Sequence, residues 1–196
     1  MGGMLLNLVL CSSLLLGGIS GGAGYVDWCG WTGLGWNVGY RMDYYKSTQD
    51  PVYPFGSLSV FGFSTHYEDY SANCDLALSL NLGGVLRFSR TIGVYAGMDL
   101  AMMPFWSNVG GVEDVDMSLL ALGFNAGLDF TASQGETGKF LASLGWHHYP
   151  LLGQYHRFGV NLTWQWYLCG RSEIASVRTG KIGREAPLVT AGITLK

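Results

Sequence analysis

Charge is what this sequence has least of. Charged residues make up 13% of the 196 residues, against roughly 25% in ordinary soluble domains. A water-soluble barrel needs a charged coat, and this chain has too few ionic side chains to make one. The formal net charge is −3, with no long run of either sign, which argues against nucleic acid as a partner. Long apolar runs are missing as well. A spanning helix needs about 20 consecutive apolar residues. Beyond the N-terminus, every apolar stretch is interrupted by glycine, charge or strict alternation. Helical membrane spans are thereby excluded, and a closed barrel is the other way to satisfy backbone groups in lipid.

Metal-ligand and catalytic spacings are also lacking. The histidines are His66, His147, His148 and His156. Neighbouring residues of a strand face opposite ways, so His147 and His148 cannot chelate one ion side by side. Ser143 and His147 share a strand face but stand four residues apart, too far for a direct hydrogen bond, and no third partner is assignable. No cofactor and no enzymatic activity are expected.

What is abundant is glycine, at 30 residues, and aromatic side chains, at 14%, with a mean hydropathy of +0.21. The stretch Leu34 to Tyr44, LGWNVGYRMDY, shows how they are arranged. Leu34, Trp36, Val38, Tyr40, Met42 and Tyr44 fall on one face of a strand, and Gly35, Asn37, Gly39, Arg41 and Asp43 on the other. In a soluble sheet the polar face is outside; in an outer-membrane barrel the apolar face meets lipid and the polar face lines the interior.

The same period of two recurs along the chain. Strands are expected at about 33–46, 55–67, 76–88, 92–102, 120–131, 139–149, 157–168 and 188–195. The second is the least regular: Leu58 and Val60 oppose Phe61 and Phe63, which predicts a bulge near Gly62. Connections fall at Ser47 to Pro54, Glu68 to Asp75, Ser89 to Thr91, Pro104 to Asp114, Ser133 to Gly138 and Pro150 to Gln154. The longest runs from Cys169 to Pro187 and carries a basic cluster of Arg171, Arg178, Lys181 and Arg184. Residues 1–24 read as a secretory leader, with an apolar core from Met4 to Leu16 and a cut before Tyr25. The domain is then residues 25–196.

The fold class so reached is all-β: an eight-stranded antiparallel transmembrane barrel behind a leader. Its polar faces hold small residues and sparse charges of both signs, as a narrow barrel interior requires. Lumen-lining residues are expected to be Arg41, Asp43, Asn81, Arg87, Tyr95, Asp99, Asn125, Asp129, Arg157, Asn161 and Gln165. Their work would be packing, mutual charge satisfaction and gating. After leader removal an odd number of cysteines remains, Cys29, Cys74 and Cys169. Cys29 and Cys74 would share one rim, so a disulfide between them is one expectation and unpaired thiols the other. The soluble alternative, a lipocalin-like carrier, inverts the faces. In this chain Gly35 adjoins Trp36, and the spaced glycine of the lipocalin Gly-x-Trp motif is absent.

From Gly33 to Lys196 the pattern resembles the small eight-stranded outer-membrane proteins, and in length and texture the outer membrane protein W (OmpW) family. That resemblance implies residence in the outer membrane of a diderm bacterium. The implied partners are outer-membrane lipid and the barrel-insertion machinery. It also implies a narrow channel or binding barrel for small hydrophobic molecules. Such barrels usually end in an aromatic residue, whereas this chain ends at Lys196. The other functional expectation is a surface interaction or structural protein acting through its loops, chiefly the basic cluster.

Overall fold

The computed structural model describes residues 14–46, 50–68, 70–109, 112–135, 137–152 and 154–169. Its strands are β1 (Leu14–Trp28), β2 (Trp31–Tyr45), β3 (Val52–Tyr67), β4 (Tyr70–Arg87), β5 (Ile92–Val109), β6 (Val112–Gln134), β7 (Gly138–Tyr149) and β8 (Tyr155–Cys169). Each pairs antiparallel with the next, and β8 returns to β1, so the sheet is a closed eight-stranded barrel. A 3₁₀ turn, Pro150–Leu152, lies between β7 and β8. Among the described residues no helix is long and apolar enough to cross a membrane.

The alternating faces are sorted as lipid would sort them. Leu34, Leu58, Leu82, Leu120, Phe88 and Trp164 lie on the outer surface, with Leu34 77% and Leu120 70% exposed. Arg41, Asp43, Asn81, Asp99, Asn125, Asp129 and Gln165 are buried inside. Leaving a large aliphatic side chain in water forfeits roughly 1.5–3 kcal/mol, and this surface carries dozens of such groups' worth of apolar area only if hydrocarbon covers it. The lipocalin-like alternative, which needs the polar face outside, is overturned by this arrangement.

The eight-strand count holds, but its membership shifts by one. Within the leader expected over residues 1–24, Leu14 to Gly24 belong to β1, and the expected cut before Tyr25 falls inside that strand. Small residues sit on both faces of GGISGGAG, so the strand shows no apolar alternation. What places it is pairing: Ile19 opposes Tyr40 of β2 and Trp164 of β8, and Tyr25 opposes Leu34 and Phe158. The strand expected at 188–195 and the connection before it lie outside the described residues.

Another difference has a local cause. The loop expected from Pro104 to Asp114 is instead strand, with β5 and β6 running on until Val109 faces Val112. Proline cannot donate to a ladder and is tolerated at a bulge; the register shifts between Pro104 and Phe105. β3 carries its expected bulge, a register shift between Phe61 and Phe63. Its lack of clean alternation follows from an inward face of Tyr53, Phe55, Phe61 and Phe63, all buried.

Closure at the β1–β8 seam leaves no room for side chains at certain positions. A Cβ added to Gly18 would stand 2.0 Å from the Trp164 carbonyl oxygen, a backbone atom that cannot step aside. At Gly21 the nearest heavy atom would be 3.8 Å away. Gly18→Val is expected to destabilise the micelle-refolded barrel by about 3 kcal/mol, the upper part of the usual overpacking range. Gly21→Ala should change stability by less than ~1 kcal/mol. Denaturant midpoints read by gel mobility without boiling check both.

Candidate functional site

The interior is filled in three tiers. At the end where β1 begins and β8 finishes, Leu16, Tyr45, Tyr53, Phe55, Val85 and Tyr95 form an apolar plug. At the opposite end, where the β1–β2 and β7–β8 turns lie, Val26, Phe61, Phe63, Met103, Tyr149, Leu152 and Tyr155 belong to a second plug. Trp28 covers it, its indole N–H donating to the Leu152 carbonyl at 2.7 Å. Between the plugs lies a polar middle.

Arg41 organises one half of that middle. Its Nε donates to Asp43 Oδ1 at 2.8 Å, and Nη1 and Nη2 reach Asp129 at 3.1 and 2.6 Å. β2 and β6 are four strands apart in a ring of eight, so this two-pronged bond crosses the full lumen. Ser143 also donates to Asp129, at 2.7 Å. Lys139 donates to Tyr45 Oη at 3.0 Å and lies 3.7 Å from Asp43. The guanidinium of Arg41 rests over Phe55, 4.8 Å from its ring centre. Arg87, half-buried at the rim of the first plug, faces the Tyr45 and Tyr53 rings.

Asp99 organises the other half. It accepts from the hydroxyls of Ser79 and Tyr149, and His147 Nδ1 stands 2.8 Å from its Oδ2. Because a carboxylate only accepts, the His147 proton sits on Nδ1. Two charged networks thus lie within one narrow barrel, each with its hydrogen bonds in place, as buried charges require.

Every residue expected in the lumen from sequence is placed inward or at the inner rim: Arg41, Asp43, Asn81, Tyr95, Asp99, Asn125, Asp129, Arg157 and Gln165 are buried. Asn161 lines the central cavity and Arg87 stands at the plug. The structure joins Arg41, Asp43 and Asp129 in one network and gives Asp99 to another. Reading from sequence missed Lys139, Ser79, Tyr149 and the Ser143 and His147 roles. The signal was present, since Lys139, Ser143, His147 and Tyr149 share strand parity in β7. Ser143 and His147 do not form a nucleophile–base pair: the Ser143 hydroxyl is turned to Asp129 and His147 to Asp99.

The Cys29–Cys74 disulfide is overturned. Cys29 is exposed in the β1–β2 turn, whereas Cys74 is buried inside the barrel among the plug residues, and no bridge joins them. Sharing a rim does not bring them together, because β3 lies between β2 and β4 and Cys74 is turned into the barrel. The basic residues Arg171, Arg178, Lys181 and Arg184 lie outside the described residues. No group of three or more metal-ligating side chains occurs among the described residues.

No family model and no curated protein matches the chain, so the outer membrane protein W family is not assigned. Among solved structures it is similar to Ail, the attachment invasion locus protein of Yersinia pestis, in complex with the heparin analogue sucrose octasulfate. The identity is 15% and the TM-score 0.51, over 80% of this chain and 97% of that one. Ail is an outer membrane protein whose backbone structure in a phospholipid bilayer nanodisc also matches. Neisserial surface protein A matches at 9% identity and TM-score 0.47, over 77% of this chain and 96% of that chain. The N-terminal β-barrel domain of Pseudomonas aeruginosa OprF gives 15% and 0.43, over 79% and 98%. At these identities the likeness is one of fold: the eight-stranded outer-membrane barrel.

Removing one partner of a buried pair strands the other charge, which typically costs 3–5 kcal/mol, while replacing both by apolar groups is often neutral. Asp129→Asn is therefore expected to lower unfolding free energy by about 3 kcal/mol or more. The double variant Arg41→Met with Asp129→Leu should recover most of that loss. Urea unfolding in detergent micelles measures both.

Proposed function

We propose that this chain is an integral outer-membrane barrel that acts at its rims, as a surface interaction or structural protein, and not through its lumen. The observation that carries this reading is the Arg41–Asp129 bond across the lumen, set between two apolar plugs. A small hydrophobic molecule moving along the axis would have to displace both plugs and then pass a charged middle. The narrow conduit expected from sequence therefore finds its path filled. The apolar outer belt supports outer-membrane lipid as the partner of the barrel wall, and delivery there would need the barrel-insertion machinery.

The reading is non-enzymatic, and what supports it is that Ser143 and His147 are engaged with separate carboxylates. Activity at the rims has a sequence motive in Arg171, Arg178, Lys181 and Arg184, the densest basic cluster in the chain. The sulfated sugar held by Ail provides a probe of matching charge. The full chain refolded into vesicles should admit sugars and an apolar dye no faster than empty vesicles. It should be retained on heparin resin until those four residues are changed to glutamine. Rapid solute entry, or stepwise conductance in planar bilayers, would overturn the filled-barrel reading. Heparin retention unchanged by the four substitutions would remove the basic cluster from it.

A further inference from the structure

Among the described residues, the networks around Arg41 and Asp99 leave Arg157 without a carboxylate partner. Arg157 of β8 stands opposite His147 of β7 and Val26 of β1. It is 6% exposed, with its guanidinium 4.4 Å from the centre of the Phe61 ring. Its Nη1 is fully buried and has no protein hydrogen-bond partner. Among the described residues no carboxylate forms an ion pair with it: Asp43 and Asp129 are held by Arg41 and Lys139, and Asp99 by Ser79, His147 and Tyr149. A buried charge left in this way costs several kcal/mol unless something compensates it.

Arg157 lines a central cavity of about 70 Å³ between the plugs. The rest of its wall is rich in neutral polar groups, among them Ser59, Asn81, Ser143, Asn161 and Thr163. Asn81 and Asn161 each have a buried Oδ1 with no protein partner. A carboxamide can turn to present its N–H₂ group instead, because its two ends are nearly indistinguishable in shape. Room for Asn161 is provided by the opposing β1 strand, where a Cβ on Gly22 would lie 2.3 Å from Asn161 Oδ1.

We propose that this cavity is a binding site for a small monovalent anion, of chloride size or a little larger. Arg157 supplies the compensating charge, and the amides and hydroxyls of Asn161, Asn81, Ser59 and Thr163 supply neutral donors. The size follows from the space: a water needs roughly 10–15 Å³ measured in this way, so the cavity takes one such ion with a few waters. A single charge fits because a divalent oxyanion would bring two negative charges to one guanidinium that has no ion-pair partner among the described residues. Loaded, the site gives the Arg157 guanidinium a direct partner and ties β8 to β3 and β4 across the lumen.

The test uses the full chain refolded in detergent micelles, with chloride exchanged for sulfate at constant ionic strength. A ligand that binds only the folded state raises stability with the logarithm of its concentration. The unfolding midpoint of the wild type should climb as chloride replaces sulfate, and bromide should act like chloride. Arg157→Gln should abolish that dependence. Should Arg157→Gln fail to fold, Asn161→Leu, which fills the cavity and keeps the charge, should abolish it as well. Crystals grown in bromide should show anomalous density in contact with Arg157. A wild-type midpoint indifferent to chloride, or bromide density absent from the cavity, would overturn the proposal. Either result leaves the filled-barrel reading standing, since that reading rests on the plugs.

Discussion

Backbone amides in hydrocarbon have no water to bond, so a sheet can stand there only if its first and last strands meet. In this chain the meeting is made by β1 and β8, paired from Leu15 with Cys169 to Trp28 with Tyr155. The glycines of β1 are what permit it. At Gly18 the neighbouring backbone comes close enough that no Cβ would fit. The sparse side chains of β1 also leave space inside the barrel, next to Asn161 and the central cavity. The strand with the least side-chain character therefore closes the wall and shapes what it encloses.

Closure with eight strands fixes a circumference, and that circumference leaves an interior just wide enough for side chains to meet. Opposite strands are then within reach of one another, which is why Arg41 of β2 can grasp Asp129 of β6. Charges that would be unaffordable facing lipid become compatible with the membrane when they pair across the axis. The aromatic plugs follow from the same limit: Tyr45 and Tyr53 pack with ring centres 4.1 Å apart, and Phe63 meets Tyr155 at 5.4 Å. Plugs at both ends and paired charges between them occupy the interior of this barrel. Its polar interior and apolar exterior are two answers to one solvent, and they leave the rims as the surfaces in contact with water.

Much of this was legible in the residues themselves. Strict alternation in the stretches that became β2, β4, β5, β6 and β8 identified the strands, their faces and the inward acids and arginines. β1 was not legible, because glycine, serine and alanine give neither face a hydrophobic signature, and an apolar segment next to the N-terminus has the composition of a leader. The ends of β5 and β6 were hidden by Pro104, which reads as a breaker unless the bulge beside it is known. In the site, membership was visible and partnership was not. Parity says that Asp99, Asp129 and Arg41 face inward; only the stagger of the closed sheet says that Arg41 reaches Asp129 while Asp99 takes His147. The Cys29–Cys74 expectation failed for the same reason, since a shared rim does not specify which side of the wall a side chain occupies.

The barrel therefore rests on the seam. Ser20 and Thr163 face each other across it, and directly opposed antiparallel residues have Cα atoms about 4.5–5.5 Å apart, within disulfide range. The most direct measurement is to introduce Ser20→Cys with Thr163→Cys into the full chain, with the native cysteines changed to serine. The variant is refolded in micelles under mild oxidation, and the bridge is located by peptide mass spectrometry. A barrel closed by β1 and β8 should give a bridge between positions 20 and 163 that forms with refolding in micelles and not in plain buffer. Efficient folding in micelles with both thiols left unreacted would contradict the closure of the barrel by β1.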